Sequence, residues 1–216
     1  MDFRQQFIEF AFSEQVLRFG EFVTKAGRPS PYFFNAGLFY HGAALKRLGQ
    51  FYAQAILGSG IEFDQLFGPA YKGIPLVTAA AIGLAENGRN VPISFNRKEI
   101  KGHGEGGRLI GAPLNGQVLI VDDVISAGTS VRESIDLIKQ AGGTPCGVVI
   151  ALDRMERGTG TLSAVQEVRQ SFALPVTCIA TLDDLVAFLR GRGGMARELQ
   201  MVDLYRRQYG VHEHVS

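Results

Sequence analysis

Val118-Leu119-Ile120-Val121-Asp122-Asp123-Val124-Ile125-Ser126-Ala127-Gly128-Thr129-Ser130 decides how the chain is read. Four consecutive apolar residues predict a strand buried on both faces, and such strands belong to parallel sheets covered by helices. The strand ends in two acids. A loop of small residues then leads into a helix whose apolar positions, Val131, Ile135, Ile138 and Ala141, recur at steps of three and four. In an open α/β sheet ligands gather at the carboxyl ends of the strands, which puts Asp122 and Asp123 where a ligand binds. Ala127 and Gly128 let the backbone approach an anion, Thr129 and Ser130 add hydroxyl donors, and the helix N-terminus supplies N–H groups without acceptors. Two carboxylates beside an anion cradle repel the anion unless they face another part of the ligand, such as sugar hydroxyls or a divalent metal. A phosphorylated ribose satisfies both halves. The plainer alternative is that one acid merely caps the helix.

On either side of this stretch the pattern repeats in kind. Leu45, Leu48, Phe51, Tyr52, Ala55 and Ile56 mark a helix over 42–57, and Gly58-Ser59-Gly60 stops it. Strands are expected at 65–67, 92–95, 118–121, 147–152 and 176–180, and helices at 76–86, 131–141, 182–189 and 195–209. A first helix is expected over 2–19, from Phe7, Phe10, Ala11, Val16 and Leu17. Residues 20–39 hold Gly27, Pro29, Pro31 and an aromatic cluster, which predicts short strands and turns. Short apolar strands alternating with helices give an α/β domain with a mostly parallel central sheet flanked by helices, and with no linker or repeat the 216 residues form one domain.

Composition narrows the function. Twenty-two Lys and Arg face 21 Asp and Glu, a net charge of +1, and 46% of residues are hydrophobic. That balance argues for a packed core and against blanket neutralisation of nucleic-acid phosphates. Cys146 and Cys178 lie in apolar stretches outside any CxxC spacing, as reduced core residues of a cytosolic protein do. The N-terminus lacks the apolar core of a secretory signal, and the richest apolar run, 76–85, is broken by Thr78 and Gly83. A cytoplasmic protein with neither a nucleic-acid nor a membrane partner is expected.

The charges are not evenly spread. Residues 96–108 hold Arg97, Lys98, Lys101 and Arg108 with His103, against Glu99 and Glu105, and glycines at 102, 104, 106 and 107. A flexible basic loop of this kind can close over a highly charged leaving group and reopen; the alternative is a solvated surface loop. Residues 102–107 match GxGxxG literally, but no apolar strand precedes them, so the dinucleotide reading fails on context. Gly68-Pro69-Ala70-Tyr71-Lys72-Gly73 joins an apolar strand to a helix, where backbone amides and Lys72 suit a second anion. No G-x4-G-K-[ST] loop occurs, which argues against an NTPase.

The loop at 121–130, together with Lys25 and 27–37, 67–75, 95–107 and Leu152-Asp153-Arg154, resembles the type I phosphoribosyltransferases, and among them the orotate phosphoribosyltransferases. The likeness runs over essentially the whole chain; Ser126 stands where the family often has Thr and retains the hydroxyl. The resemblance implies the type I phosphoribosyltransferase fold, with a small N-terminal hood over about 1–40 and a flexible catalytic loop at about 96–112. It implies transfer of 5-phosphoribosyl from phosphoribosyl pyrophosphate to orotate, giving orotidine 5′-monophosphate and pyrophosphate in pyrimidine synthesis. Lys101, His103, Asp122 and Asp123 would be catalytic. Phosphoribosyl pyrophosphate would be held by these four with Lys25, Tyr71, Lys72, Arg97, Lys98, Val124, Ile125, Ser126, Ala127, Gly128, Thr129 and Ser130. Orotate would lie against Phe33 and Phe34, near Ser126, with Arg154 pairing to its carboxylate through a planar fork. Magnesium would be held mainly through phosphoribosyl pyrophosphate, with Asp123 a ligand directly or through water. Active sites would be shared across a homodimer, Lys25, Arg97, Lys101 and His103 reaching the partner's site and Lys98 serving its own. A regulator that senses the same ligand without catalysis would need a nucleic-acid-binding surface, and no such basic domain is present.

Overall fold

A computed structural model describes residues 2–24, 27–101, 107–126, 128–158 and 160–211, the side chains of 100, 101 and 107 excepted. The apolar runs assemble into one six-stranded sheet. In chain order the elements are α1 (Phe3–Ser13), β1 (Leu17–Val23), β2 (Pro29–Phe34), a 3-10 turn (Ala36–Leu38), α2 (Gly42–Gly58), β3 (Gln65–Gly68), α3 (Gly73–Glu86), β4 (Ile93–Lys101), β5 (Gly107–Gly111), β6 (Gln117–Asp122), α4 (Thr129–Gln140), β7 (Thr144–Asp153), α5 (Ala164–Phe172), β8 (Val176–Thr181), α6 (Leu182–Gly191) and α7 (Ala196–Tyr209). Strand order is β5-β4-β3-β6-β7-β8, all neighbours parallel except β4 with β5. A separate antiparallel hairpin, β1 with β2, stands on the N-terminal side.

The expected strand 118–121 is β6, at the centre of the sheet, with Val118, Leu119, Ile120 and Val121 fully buried. Its alternate side chains feed two cores. Leu119 and Val121 join α1, α2, α3 and α6, while Val118 and Ile120 join α4 and α5. On the first face α2 and α3 approach closely because each offers a glycine at the crossing. A Cβ on Gly49 would stand 2.1 Å from the Ala79 carbonyl oxygen, and one on Gly83 2.2 Å from that of Gly49.

Four features differ from the sequence expectation. The first helix ends at Ser13, not 19. Gln15 adopts φ +58, Gln15 N–H bonds to Phe12 O and Val16 N–H to Ala11 O, the two reverse bonds of a Schellman stop, and Val16 and Leu17 pass into the hairpin. Of the segment 96–112, residues 96–101 and 107–111 lie in strands, β4 running to Lys101 and pairing with β5 with Lys101 opposite Gly107, while 102–106 lie outside the described residues. Residues 164–172 form α5, capped by Ser163 Oγ accepting from Gln166 N–H at 3.1 Å and by Gln166 Oε1 accepting from Ser163 N–H at 2.9 Å. Cys146 and Cys178 are free and only half-buried; burial pushes their thiols up to about 11 and about 12. Among the described residues no helix is long and apolar enough to cross a membrane.

Candidate active site

Because β3, β4, β6 and β7 run parallel, their carboxyl ends meet at one edge, and each delivers a block singled out from the sequence. β6 delivers Asp122 and Asp123, both buried. Asp122 Oδ1 accepts from the Asp123 N–H at 2.9 Å, and Asp122 Oδ2 accepts from Ser130 Oγ at 3.1 Å. Asp123 Oδ1 accepts from the Val124 N–H at 2.9 Å. Tyr52 on α2 donates its hydroxyl to the Asp122 carbonyl at 2.8 Å, and burial holds that hydroxyl well above the ordinary tyrosine range. Burial, and after it the neighbouring Asp123 carboxylate, pushes the Asp122 carboxyl up to about 7, against the opposing hydrogen bonds from the Asp123 N–H and Ser130.

After Asp123 the chain turns through Val124, Ile125 and Ser126 to Gly128, at φ +69, and enters α4. Gly128 serves as N-cap without a side-chain cap, so the first N–H groups of α4 await an acceptor. Ser126, Thr129 and Ser130 are exposed around them, while the Ile125 side chain is buried in the α4–α5 core and leaves only its backbone for a ligand.

β3 delivers the loop 69–72. Gly68 and Gly73 lie almost in contact: a Cβ on Gly68 would stand 2.3 Å from the Gly73 carbonyl oxygen, so only glycine permits this return. The Ala70 N–H is held by Asn96 Oδ1 on β4 at 2.7 Å. Tyr71 donates its hydroxyl to Glu99 at 2.8 Å, which holds the Glu99 carboxyl below and the Tyr71 hydroxyl above their ordinary values. Lys98 lies 5.3 Å from the Tyr71 ring centre. Lys72 reaches across the sheet edge, its Nζ 3.0 Å from Asp123 Oδ2. The two loops, 51 residues apart in sequence between Lys72 and Asp123, are thereby one site. A cavity of about 320 Å³ opens beside Tyr71 and Lys72, walled by Ala36, Phe39 and Leu76.

β7 delivers Arg154, which packs against the hairpin. Its guanidinium lies 4.3 Å from the Tyr32 ring centre, and Nη2 donates to Ser30 Oγ at 3.1 Å. Phe34 is buried against Phe7, whereas Phe33 stacks on Phe22 at 5.4 Å beside Arg18. Neighbours in a strand point to opposite faces, so these two rings do not share a surface.

A family model described as a phosphoribosyl transferase domain matches residues 37–170. The chain is 69% identical, over 97% of its length and 99% of the relative's, to an orotate phosphoribosyltransferase of Laribacter hongkongensis. It belongs to the orotate phosphoribosyltransferase family. A second member, from Thiobacillus denitrificans, is 66% identical over the same share of both chains. Among solved structures, an orotate phosphoribosyltransferase of Francisella tularensis superposes with a TM-score of 0.86 at 41% identity, covering 95% of this chain and all of that one. The fold is therefore the type I phosphoribosyltransferase fold.

Within that family fold, Tyr71, Lys72, Lys98, Asp122, Asp123 and Ser130 converge on one edge, with Ser126, Gly128 and Thr129 in the adjoining loop. Lys25, His103 and Ala127, and the side chain of Lys101, lie outside the described residues. Sequence reading missed Asn96 and Glu99, which hold the 69–72 loop, and Glu156, which pairs with Arg154 at 2.7 Å. Alternation along a strand would have placed Asn96 and Lys98 on one face; nothing local marks Glu156 beyond its position two residues after Arg154.

Proposed function

We propose that the chain carries out the reaction for which its relatives are named, transferring 5-phosphoribosyl from phosphoribosyl pyrophosphate to orotate with release of pyrophosphate. The 3.0 Å contact between Lys72 and Asp123 carries this reading, because it brings a cation suited to pyrophosphate onto the carboxylates suited to ribose hydroxyls. Breaking the bond from ribose C1 to pyrophosphate builds positive charge on the sugar and negative charge on the leaving group. The carboxylates of Asp122 and Asp123 accept from the ribose hydroxyls and stabilise the electron-poor sugar. The first turn of α4, with Thr129 and Ser130, holds the 5-phosphate. Lys72, Lys98 and the N–H groups of Tyr71 and Lys72 take the pyrophosphate, and Lys101 and His103 supply further donors to it.

Among the described residues no group of three or more His, Cys, Asp or Glu side chains can hold a metal ion. Two adjacent carboxylates without a cage suit magnesium, which binds through one or two carboxylates and the phosphates of its substrate. When bound, magnesium supplies charge neutralisation at the pyrophosphate, and Asp123 is the residue that would meet it, directly or through water. Orotate stacks near Phe33 or Phe34 and Ser126, with its carboxylate at Arg154.

A homodimer with shared sites is supported by β4, where Lys98 lies on the face of Tyr71 and alternation sends Arg97 to the other. Mixing Lys101→Ala with Asp123→Ala protein restores activity in hybrid dimers if sites are shared; no rescue after confirmed subunit exchange refutes it. Free Cys146 and Cys178 fit the reducing cytoplasm. A steady-state assay of orotate consumption tests the substrate: turnover of hypoxanthine, adenine or uracil with orotate inert would overturn the assignment.

A further inference from the structure

Arg154 and Glu156 form a largely enclosed ion pair near the sheet edge, with side chains 17% and 15% exposed. One carboxylate oxygen, Glu156 Oε1, accepts from Arg154 Nε at 2.8 Å and lies 2.7 Å from Nη2. The same oxygen accepts from the Tyr32 hydroxyl at 3.2 Å. Ser30 Oγ accepts from Nη2 at 3.1 Å, and the Tyr32 ring lies under the guanidinium. The backbone on either side of Glu156 is tied to the end of α7, Val211 N–H bonding to Met155 O at 2.8 Å and Arg157 N–H to Tyr209 O at 2.8 Å. Glu156 is therefore fixed before any ligand arrives.

This changes how Arg154 can recognise a carboxylate. A free guanidinium offers its Nε–Nη2 edge as a two-pronged fork. Here that edge is filled from inside; Nη1 makes no hydrogen bond of normal length to a described residue, and the Tyr205 hydroxyl, buried and without a partner at such a length, is the other polar group that feels the guanidinium. We propose that Glu156 is a positioning residue for the carboxylate of the pyrimidine substrate: it holds Arg154 so that Nη1 meets that carboxylate, and it cancels the net charge that would otherwise draw phosphate into the base pocket. The proposal rests on the reading that Arg154 binds orotate. Selectivity then comes from the placement of N–H groups rather than from excess positive charge, and a misaimed Arg154 loses carboxylate recognition while ring stacking persists.

The test compares orotate with its 6-carboxamide, the same ring with a neutral substituent, used as an inhibitor. Glu156→Gln raises KM for orotate about tenfold or more, the scale of one charge-assisted hydrogen bond, and leaves KM for phosphoribosyl pyrophosphate and Ki for the carboxamide within about twofold. Loosening of the whole pocket would weaken the carboxamide equally, and that result overturns the proposal. Tyr32→Phe removes one donor to Glu156 without changing charge and raises KM for orotate about threefold; it carries the test should Glu156→Gln not fold. Arg154→Lys separates the two layers. If it leaves KM for orotate unchanged, Arg154 does not bind the carboxylate and the underlying reading fails. If it raises KM while neither Glu156→Gln nor Tyr32→Phe does, the role of Glu156 alone fails.

Discussion

Replacing Asp122 by Asn should stabilise the ligand-free protein, and more so as pH rises. Asp122 is buried at the end of β6 next to Asp123, with Lys72 from the loop before α3 on Asp123, the Tyr52 hydroxyl from α2 on its carbonyl and Ser130 from α4 on its Oδ2. Its carboxyl titrates at about 7 against an ordinary aspartate value of 3.8, chiefly through burial. Between those two values the unfolded chain has released a proton that the folded chain retains, so stability falls as pH climbs from about 4 to about 7 and levels off above. At about 1.4 kcal/mol per tenfold change in proton affinity, the full loss is roughly 4 kcal/mol, of which somewhat more than half falls between pH 5 and pH 8. Asn retains an acceptor for the Asp123 N–H and presents an amide to Ser130 Oγ, and it has no such loss. The Tm advantage of Asp122→Asn over the parent should therefore grow by about 5–10 °C between pH 5 and pH 8 for a chain of this size. Thermal unfolding of both proteins in matched buffers without ligand reads this directly. Parallel Tm curves across that range would show that Asp122 is ionised in the folded protein at pH 5, and the reasoning would fail.

Four further outcomes can be checked on the same protein. Gly49→Ala puts a Cβ 2.1 Å from the Ala79 carbonyl oxygen, so α2 and α3 must part; chemical denaturation should show a loss of about 1–3 kcal/mol or more. Ser163→Ala removes the N-cap bond of α5 and should cost about 1 kcal/mol by the same measurement, with KM for both substrates unchanged. Lys101→Ala should lower kcat about a hundredfold or more, the scale of losing one charged donor to the transition state, while Tm stays within about 1 °C. Chelation of magnesium should abolish turnover without lowering Tm in the absence of substrate, because the described residues form no metal cage of their own.

What could be read from the chain alone, and what could not, divides along the range of the interactions. β6, its two acids and the start of α4 were legible because every term is local: a doubly buried strand, a glycine able to take φ +69, and a helix start left uncapped. The early end of α1 was not, since the left-handed stop falls on Gln15, a residue that seldom announces one, and helical spacing runs on through Val16 and Leu17. α5 carries its own signal, Ser163 and Gln166 at capping-box spacing, which its few apolar residues left unread.

The site shows the same division in a form that bears on chemistry. Lys72 and Asp123 were each identifiable from their own loops, yet that they touch follows only from parallel pairing of β3 with β6, which sets both loops at one edge. Arg154 was identifiable from the segment at the end of β7, but not that its fork is already occupied. That depends on Ser30 and Tyr32, more than a hundred residues earlier, and on Glu156 being fixed by the end of α7. The residues that contact a ligand tend to sit in short, chemically distinctive loops, whereas those that aim them are contributed by whatever strand or helix the topology brings alongside. For Arg154 this bears on the proposed substrate: a guanidinium in solution favours phosphate and carboxylate alike, and on the proposal made above it is the company of Glu156, Ser30 and Tyr32 that would aim it at one carboxylate on one flat ring.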